Sequence, residues 1–221
     1  MERVTDAFLW PLRDRQWATK VLIMALTLLI PIVGAINGLG WMLATIDRLR
    51  AGEEELAPAG LGYLGRGINL FAVQLIYALA VTAIALLIYL PAVLLAIRQG
   101  QGTANVGLIG LAVFLNVLAF GVTAIGGIAF TFAMPAIVLA TDQGGIAGGL
   151  NVREVVRRMR LNLTNTLIAG LMLIAASFVS SLGAIACVVG LFFTGAYALA
   201  MQAWIFRSFE LGSKPQGQAG S

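Results

Sequence analysis

The sequence predicts an all-α, polytopic helical membrane protein, and three observations predict it. Sixty per cent of the 221 residues are apolar and only 11% are charged, whereas a soluble domain carries about a quarter charged residues. Four stretches, 21–46, 67–97, 99–141 and 161–206, contain no Asp, Glu, Lys or Arg. Each is longer than the roughly 20 helical residues that cross a bilayer. The basic residues sit in short clusters between these stretches, where chain emerging from a bilayer meets anionic headgroups.

Taken in order, residues 1–20 read as an interfacial arm. Val4, Phe8 and Leu12 share one helical face, Trp10 and Trp17 serve as interface anchors, and Pro11 divides the arm into two pieces. Its mixture of acids and bases is unlike a cleavable signal peptide. Residues 21–46 form either a re-entrant hairpin or one kinked crossing. Pro31 to Gly34 and Asn37 to Gly40 place helix breakers at the middle. Two arms of about 12 residues would reach about 18 Å, roughly half the bilayer depth. Charge favours the hairpin: it puts thirteen Lys and Arg on one side and one on the other, against nine and five for a full crossing. The positive-inside rule selects the more asymmetric partition, with both termini cytoplasmic at a prokaryotic cell membrane.

Four full transmembrane helices follow, at 67–97, 104–140, 161–181 and 183–206. The first would be about 46 Å long if straight, so it must tilt, bend or protrude; Pro91 marks its bend and Gly126-Gly127 a weak point in the next. Gln99-Gly100-Gln101-Gly102 is a short loop that makes these two antiparallel neighbours. The last two are joined by a turn at Ser180 to Gly183. Residues 150–160 form a second interfacial helix: Val152, Val155, Val156 and Met159 on one face, Arg153, Glu154, Arg157, Arg158 and Arg160 on the other. Gly144-Gly145 and Gly148-Gly149 hinge it to the preceding crossing. Residues 1–208 are one membrane domain, and 209–221 a flexible tail.

Little in the sequence points to catalysis. It has no histidine, which removes His-ligated haem, His-containing zinc sites and histidine acid–base chemistry. The single Cys187 lies in an apolar run and reads as a small buried side chain. Glu53-Glu54-Glu55 are consecutive and splay apart, so they read as a solvated loop. The paired glycines lack the lysine of a phosphate loop. No catalytic, cofactor or metal site is expected. Two candidate sites remain. Pro31, Gly34, Asn37 and Gly38 form a broken-helix site whose backbone groups are available to a ligand. Arg153, Arg157, Arg158 and Arg160 are candidate contacts to anionic lipid. The other polar groups within the apolar runs, including Asn69, Gln74, Asn116, Asn165 and Gln202, read as interhelical hydrogen-bonding residues.

From Asp14 to Leu79 the chain shows Asp14, Trp17 and Lys20 ahead of an apolar run with Pro31. Gly40-Trp41, Arg48, Gly52, Leu56, Pro58, Gly67 and Tyr77 follow. This pattern resembles the prokaryotic membrane family called domain of unknown function 4013. The aromatic and acidic residues expected after Pro58 are replaced here by Ala59-Gly60-Leu61-Gly62. The resemblance implies a helical membrane fold and no particular reaction. The absence of catalytic groups and the two interfacial arms make a non-enzymatic scaffold or accessory subunit of a membrane complex the expected role, with a permease or flippase-like carrier, motivated by the broken segment from Pro31 to Gly40, as the alternative. Expected partners are membrane lipids and a second copy or another membrane chain, not nucleic acid.

Overall fold

The computed structural model describes residues 6–99 and 105–212, with the backbone alone at 98–99 and 185–189. The expectations for the Gly100–Gly102 linker, the Cys187 side chain and the tail beyond Gly212 lie outside the described residues. Among those residues the regular structure is entirely helical. It comprises α1 (Asp6–Leu9), a 3-10 turn (Trp10–Arg13), α2 (Trp17–Leu28), α3 (Val33–Arg50), α4 (Leu64–Gln99), α5 (Val106–Leu150), α6 (Val152–Leu161), α7 (Leu163–Leu182), a second 3-10 turn (Gly183–Ala186) and α8 (Cys187–Gly212). Residues up to Val73 and from Thr131 onward pack as one body, and Gln74–Phe130 as another.

In the first body α8 is the central helix. The arm, α2, α3 and α7 all pack on it, because Ala196, Ala198, Ala200 and Ala203 leave room for backbones to approach on several sides and are almost fully buried. Helix α7 runs antiparallel to it. Thr194 Oγ1 donates to the Ser180 carbonyl (2.8 Å) at one end; Asn165 Nδ2 donates to the Phe209 carbonyl (3.2 Å) and Asn162 Nδ2 to the Gly212 carbonyl (3.1 Å) at the other. The turn expected at Ser180–Gly183 falls at Gly183–Ala186, since α7 keeps its helical bonds to Leu182. Helix α8 also continues to Gly212, so residues 209–212, expected as the start of the tail, are helical.

Residues 21–46 belong to a two-helix hairpin, and its ends return to the same place. Arg13 pairs with Glu54 (3.4 Å), and Lys20 Nζ donates to the Leu56 carbonyl (2.9 Å). A single kinked crossing would hold these residues at opposite ends. The break lies at Leu29–Ile32 alone, where the Val33 N–H donates to the Pro31 carbonyl (2.7 Å) around Ile32 at φ 64°, ψ −60°. This is the rare γ-turn of positive φ. Asn37 to Gly40, expected as breakers, lie inside α3; there Gly38 meets Leu199 and Leu28, and packing outweighs glycine's low helix propensity.

The arm also departs from expectation. Trp10 is 2% exposed, and the Trp17 ring meets Phe193 and Tyr197 of α8 edge-on, with centroids 6.4 and 6.1 Å away. The Tyr197 hydroxyl donates to the Phe8 carbonyl (2.5 Å). Trp10 is thus enclosed by protein, and Trp17 is packed in part against the aromatic face of α8.

In the second body α4 and α5 run antiparallel, with the Tyr77 and Phe130 rings 5.9 Å apart and Val81 against Gly126. Helix α5 passes through Gly126-Gly127 without a break. Its bend is at Gly145, where φ of 61° suits a residue without Cβ. Only 6% of the most apolar stretch of α4 is buried by protein, against 11% for α5 and 39% for α7. So much apolar surface is stable only where lipid replaces water. Among the described residues these three helices are long and apolar enough to cross a membrane, which is the build of a membrane protein. The fourth expected crossing, 183–206, corresponds to α8, which begins at Cys187 after the 3-10 turn and runs to Gly212. Between Ala196 and Phe209 it is largely covered by the rest of the first body, whereas Leu191 is 42% exposed.

Candidate functional site at the charged ends of the helices

Asp14 begins the first polar cluster. It is 3% exposed, yet it accepts from Lys20 Nζ (2.7 Å), the Leu56 N–H (3.0 Å) and the Gln16 N–H (2.7 Å). Lys20 completes a closed clasp by donating to the Leu56 carbonyl. Beside it, Trp41 Nε1 donates to the Ala57 carbonyl (3.0 Å). The loop after α3 is thus tied to the chain before α2. Burial opposes the Asp14 carboxylate, but the Lys20 ammonium and the two amides hold its carboxyl below its ordinary value of 3.8. Because the folded value is depressed, this stabilisation is present at pH values above the ordinary 3.8 and is lost as pH falls below it through the folded value. Replacing Asp14 by Asn leaves Lys20 buried without its counter-charge. The expected cost is about 3 kcal/mol, the low end for a broken buried pair. Thermal unfolding in mild detergent at pH 7 checks this, and the gap between wild type and variant should narrow as pH is lowered below 3.8.

A second cluster joins four helices. Arg50 Nη1 reaches Asp47 (3.0 Å) and Asp142 (2.7 Å), and its Nε reaches Glu210 (3.0 Å). Arg66 pairs with Asp47 and with Asp142 (3.1 Å), and Arg207 with Glu210 (2.9 Å). Three cations and three anions form a neutral network linking α3, α4, α5 and α8. Burial disfavours charge on both Asp47 and Arg50. Arg66 and Arg50 nevertheless hold the Asp47 carboxyl below its usual range, and Asp142 and Glu210 raise the Arg50 value. The sequence reading missed this cluster, treating its arginines only as topology signals. The available clue was that Asp47, Arg66, Asp142 and Arg207 each stand next to the end of an uncharged stretch.

Helix α6 forms the third feature. Asn151 and Asn162 cap α6 and α7, accepting from the Glu154 and Asn165 N–H groups at 3.2 and 3.0 Å. Val155 is buried, whereas Val152 is exposed, so the apolar face expected to lie flat on lipid is partly used against protein. The four arginines separate by role. Arg158 donates to Glu154 (2.8 Å) and Gln143 (2.8 Å). Arg157 pairs with Glu154 (2.6 Å) but remains 69% exposed. Arg153 and Arg160 are exposed and form no ion pair among the described residues.

The four broken-helix residues do not act together. Pro31 is exposed at the hairpin tip, Gly34 lies against the Thr27 carbonyl, and Gly38 against Leu199. Asn37 is fully buried. Its Nδ2 donates to the Gly60 carbonyl (2.8 Å), and its Oδ1 accepts from the Tyr63 N–H (3.1 Å). Both ends of the amide are spent on holding the loop between α3 and α4.

The family described as "Protein of unknown function (DUF4013)" matches residues 23–189, well over half of the chain. The chain belongs to this DUF4013 family. No curated protein and no solved structure matches it. In this DUF4013 member the residues that carried the resemblance have a common structural purpose. Gly40, Trp41, Leu56 and Gly67 pack or bond α3, the loop and the start of α4 together. Gly52 takes a φ of 82° where the chain leaves α3. Asp14, Trp17 and Lys20 lie ahead of the matched segment and fasten the arm to the same loop and to α8.

Proposed function

We propose that this DUF4013 protein is a non-enzymatic scaffold or accessory subunit of a complex in a prokaryotic cell membrane. The observation that carries the reading is the engagement of Asn37: the polar group best placed to serve a solute is consumed by two bonds to the fold. The outward faces of α4, α5 and α7 meanwhile offer apolar helix surface suited to lipid and to other membrane helices. In this reading α2 and α3 enter and leave on the cytoplasmic face, where both termini lie. The pairing of Arg13 with Glu54 and the cationic bias of that side support it.

The test isolates the tagged chain from native membranes after crosslinking. A recurring stoichiometric membrane partner or second copy is expected. A monodisperse monomer with no repeated partner, accompanied by solute uptake in proteoliposomes that Asn37→Leu abolishes, would favour the carrier. The topology arm uses Glu54→Cys in a Cys187→Ser background, which should react only with reagent supplied from the cytoplasmic side.

A further inference from the structure

We propose that the outward face of α6 is a binding site for the phosphate group of an anionic phospholipid. Arg153, Arg157 and Arg160, spaced i, i+4 and i+7, line an open trough of about 640 Å³ together with Val152, Val156 and Leu161. Guanidinium groups match phosphate oxygens in pairs. The three apolar side chains beside them suit the glycerol and upper acyl chain of the same molecule, which a free phosphate lacks. Charge accounting singles out this face. The Asp47–Glu210 network is neutral and Lys20 is matched by Asp14, whereas α6 carries four arginines against one glutamate in a chain of net charge +4.

The face is also fixed in direction. Val155 is 3% exposed, and Arg158 is tied to Glu154 and Gln143, so α6 cannot roll to hide its other arginines. Arg158 therefore takes no part in the site. Glu154 has a further role. Its bonds to Arg157 and Arg158 hold its carboxyl below the usual carboxylate range, so it is ionised at neutral pH and acts as an internal counter-ion. The lipid phosphate displaces it from Arg157, while Arg158 retains it.

The inference rests on the membrane reading of the chain. A chain that stays folded and monomeric in buffer without detergent would remove that reading, whereas the results below bear on the lipid site alone. The full chain is placed in phosphatidylcholine nanodiscs containing phosphatidylglycerol, and the lipid it retains is counted by native mass spectrometry. Preferential retention of phosphatidylglycerol is expected. It should fall about a hundredfold in the Arg153→Gln/Arg157→Gln/Arg160→Gln variant, at roughly fivefold for each cation. Arg158→Gln should change it by less than about twofold, and Glu154→Gln should raise it several-fold by freeing Arg157. Equal retention of the two lipids by the wild type overturns the site. So does a loss in Arg158→Gln as large as in the triple variant, or displacement of the lipid by millimolar inorganic phosphate, which would mark a general anion site. Circular dichroism of each variant in the nanodisc separates loss of binding from loss of fold.

Discussion

Replacing Arg50 by methionine is expected to lower the unfolding temperature in mild detergent by on the order of 10 °C, from a loss of about 3 kcal/mol. Arg50 is the hub of the network at the charged ends of the helices, bonded to Asp47, Asp142 and Glu210. Methionine fills similar space and removes the cation that α3, α5 and α8 share. Asp142 and Glu210 are 10% and 15% exposed, so water replaces the lost partner poorly. Arg66 and Arg207 each retain one of them, which holds the expected cost at the lower end for a broken buried pair. Arg50→Lys keeps the charge without the planar fork, so it should fall between wild type and methionine. An unfolding temperature unchanged in Arg50→Met would show that the network adds nothing to stability.

Gly67→Ala and Gly65→Ala, two positions apart on α4, should have opposite signs. A Cβ on Gly67 would fall on the Ile36 carbonyl and against the Gly40 nitrogen (2.8 Å), whereas one on Gly65 meets nothing within 4 Å. Backbone atoms cannot turn aside as a side chain can. Gly67→Ala must therefore push α3 and α4 apart, at a cost at or above the roughly 1–3 kcal/mol of ordinary overpacking. That movement also strains the Asn37 bonds to Gly60 and Tyr63 and the pairing of Arg66 with Asp47. Gly65→Ala should be neutral or stabilising by up to about 1 kcal/mol, as alanine favours helix. Folded yield after detergent extraction and the unfolding temperature measure both. Equal behaviour of the two variants would contradict the close crossing of α3 and α4.

The approximate position of the long helices was legible because uncharged runs leave the backbone no partner except itself once water is excluded, but their ends were not, as α5 runs on to Leu150 and α8 to Gly212. Polar and aromatic residues were harder to read. Trp10 and Trp17 resemble interface anchors in a one-dimensional reading, whereas the fold buries Trp10 and sets Trp17 edge-on against Phe193 and Tyr197 of α8, far along the chain. Asn37 resembles a ligand group until the loop from Gly60 to Tyr63 folds over it. Gly38 and Gly40 were taken for breakers because propensity is local, while the contacts that keep them helical come from α8 and α4. The four arginines of α6 form one cluster in sequence, yet Gln143 and Glu154 divide them.

By itself the sequence determined the helical class, the family and the apolar character of the long helices that suits a membrane, since these depend on composition and on residues adjacent in the chain. The tertiary structure bore on the hairpin that charge placement had favoured, and it alone decided that α8 is the central helix and that Asp47, Arg50, Arg66, Asp142, Arg207 and Glu210 share one neutral network. Those features depend on which residues distant in sequence meet, and in a low-dielectric setting each buried charge must find a partner of opposite sign wherever the fold brings one.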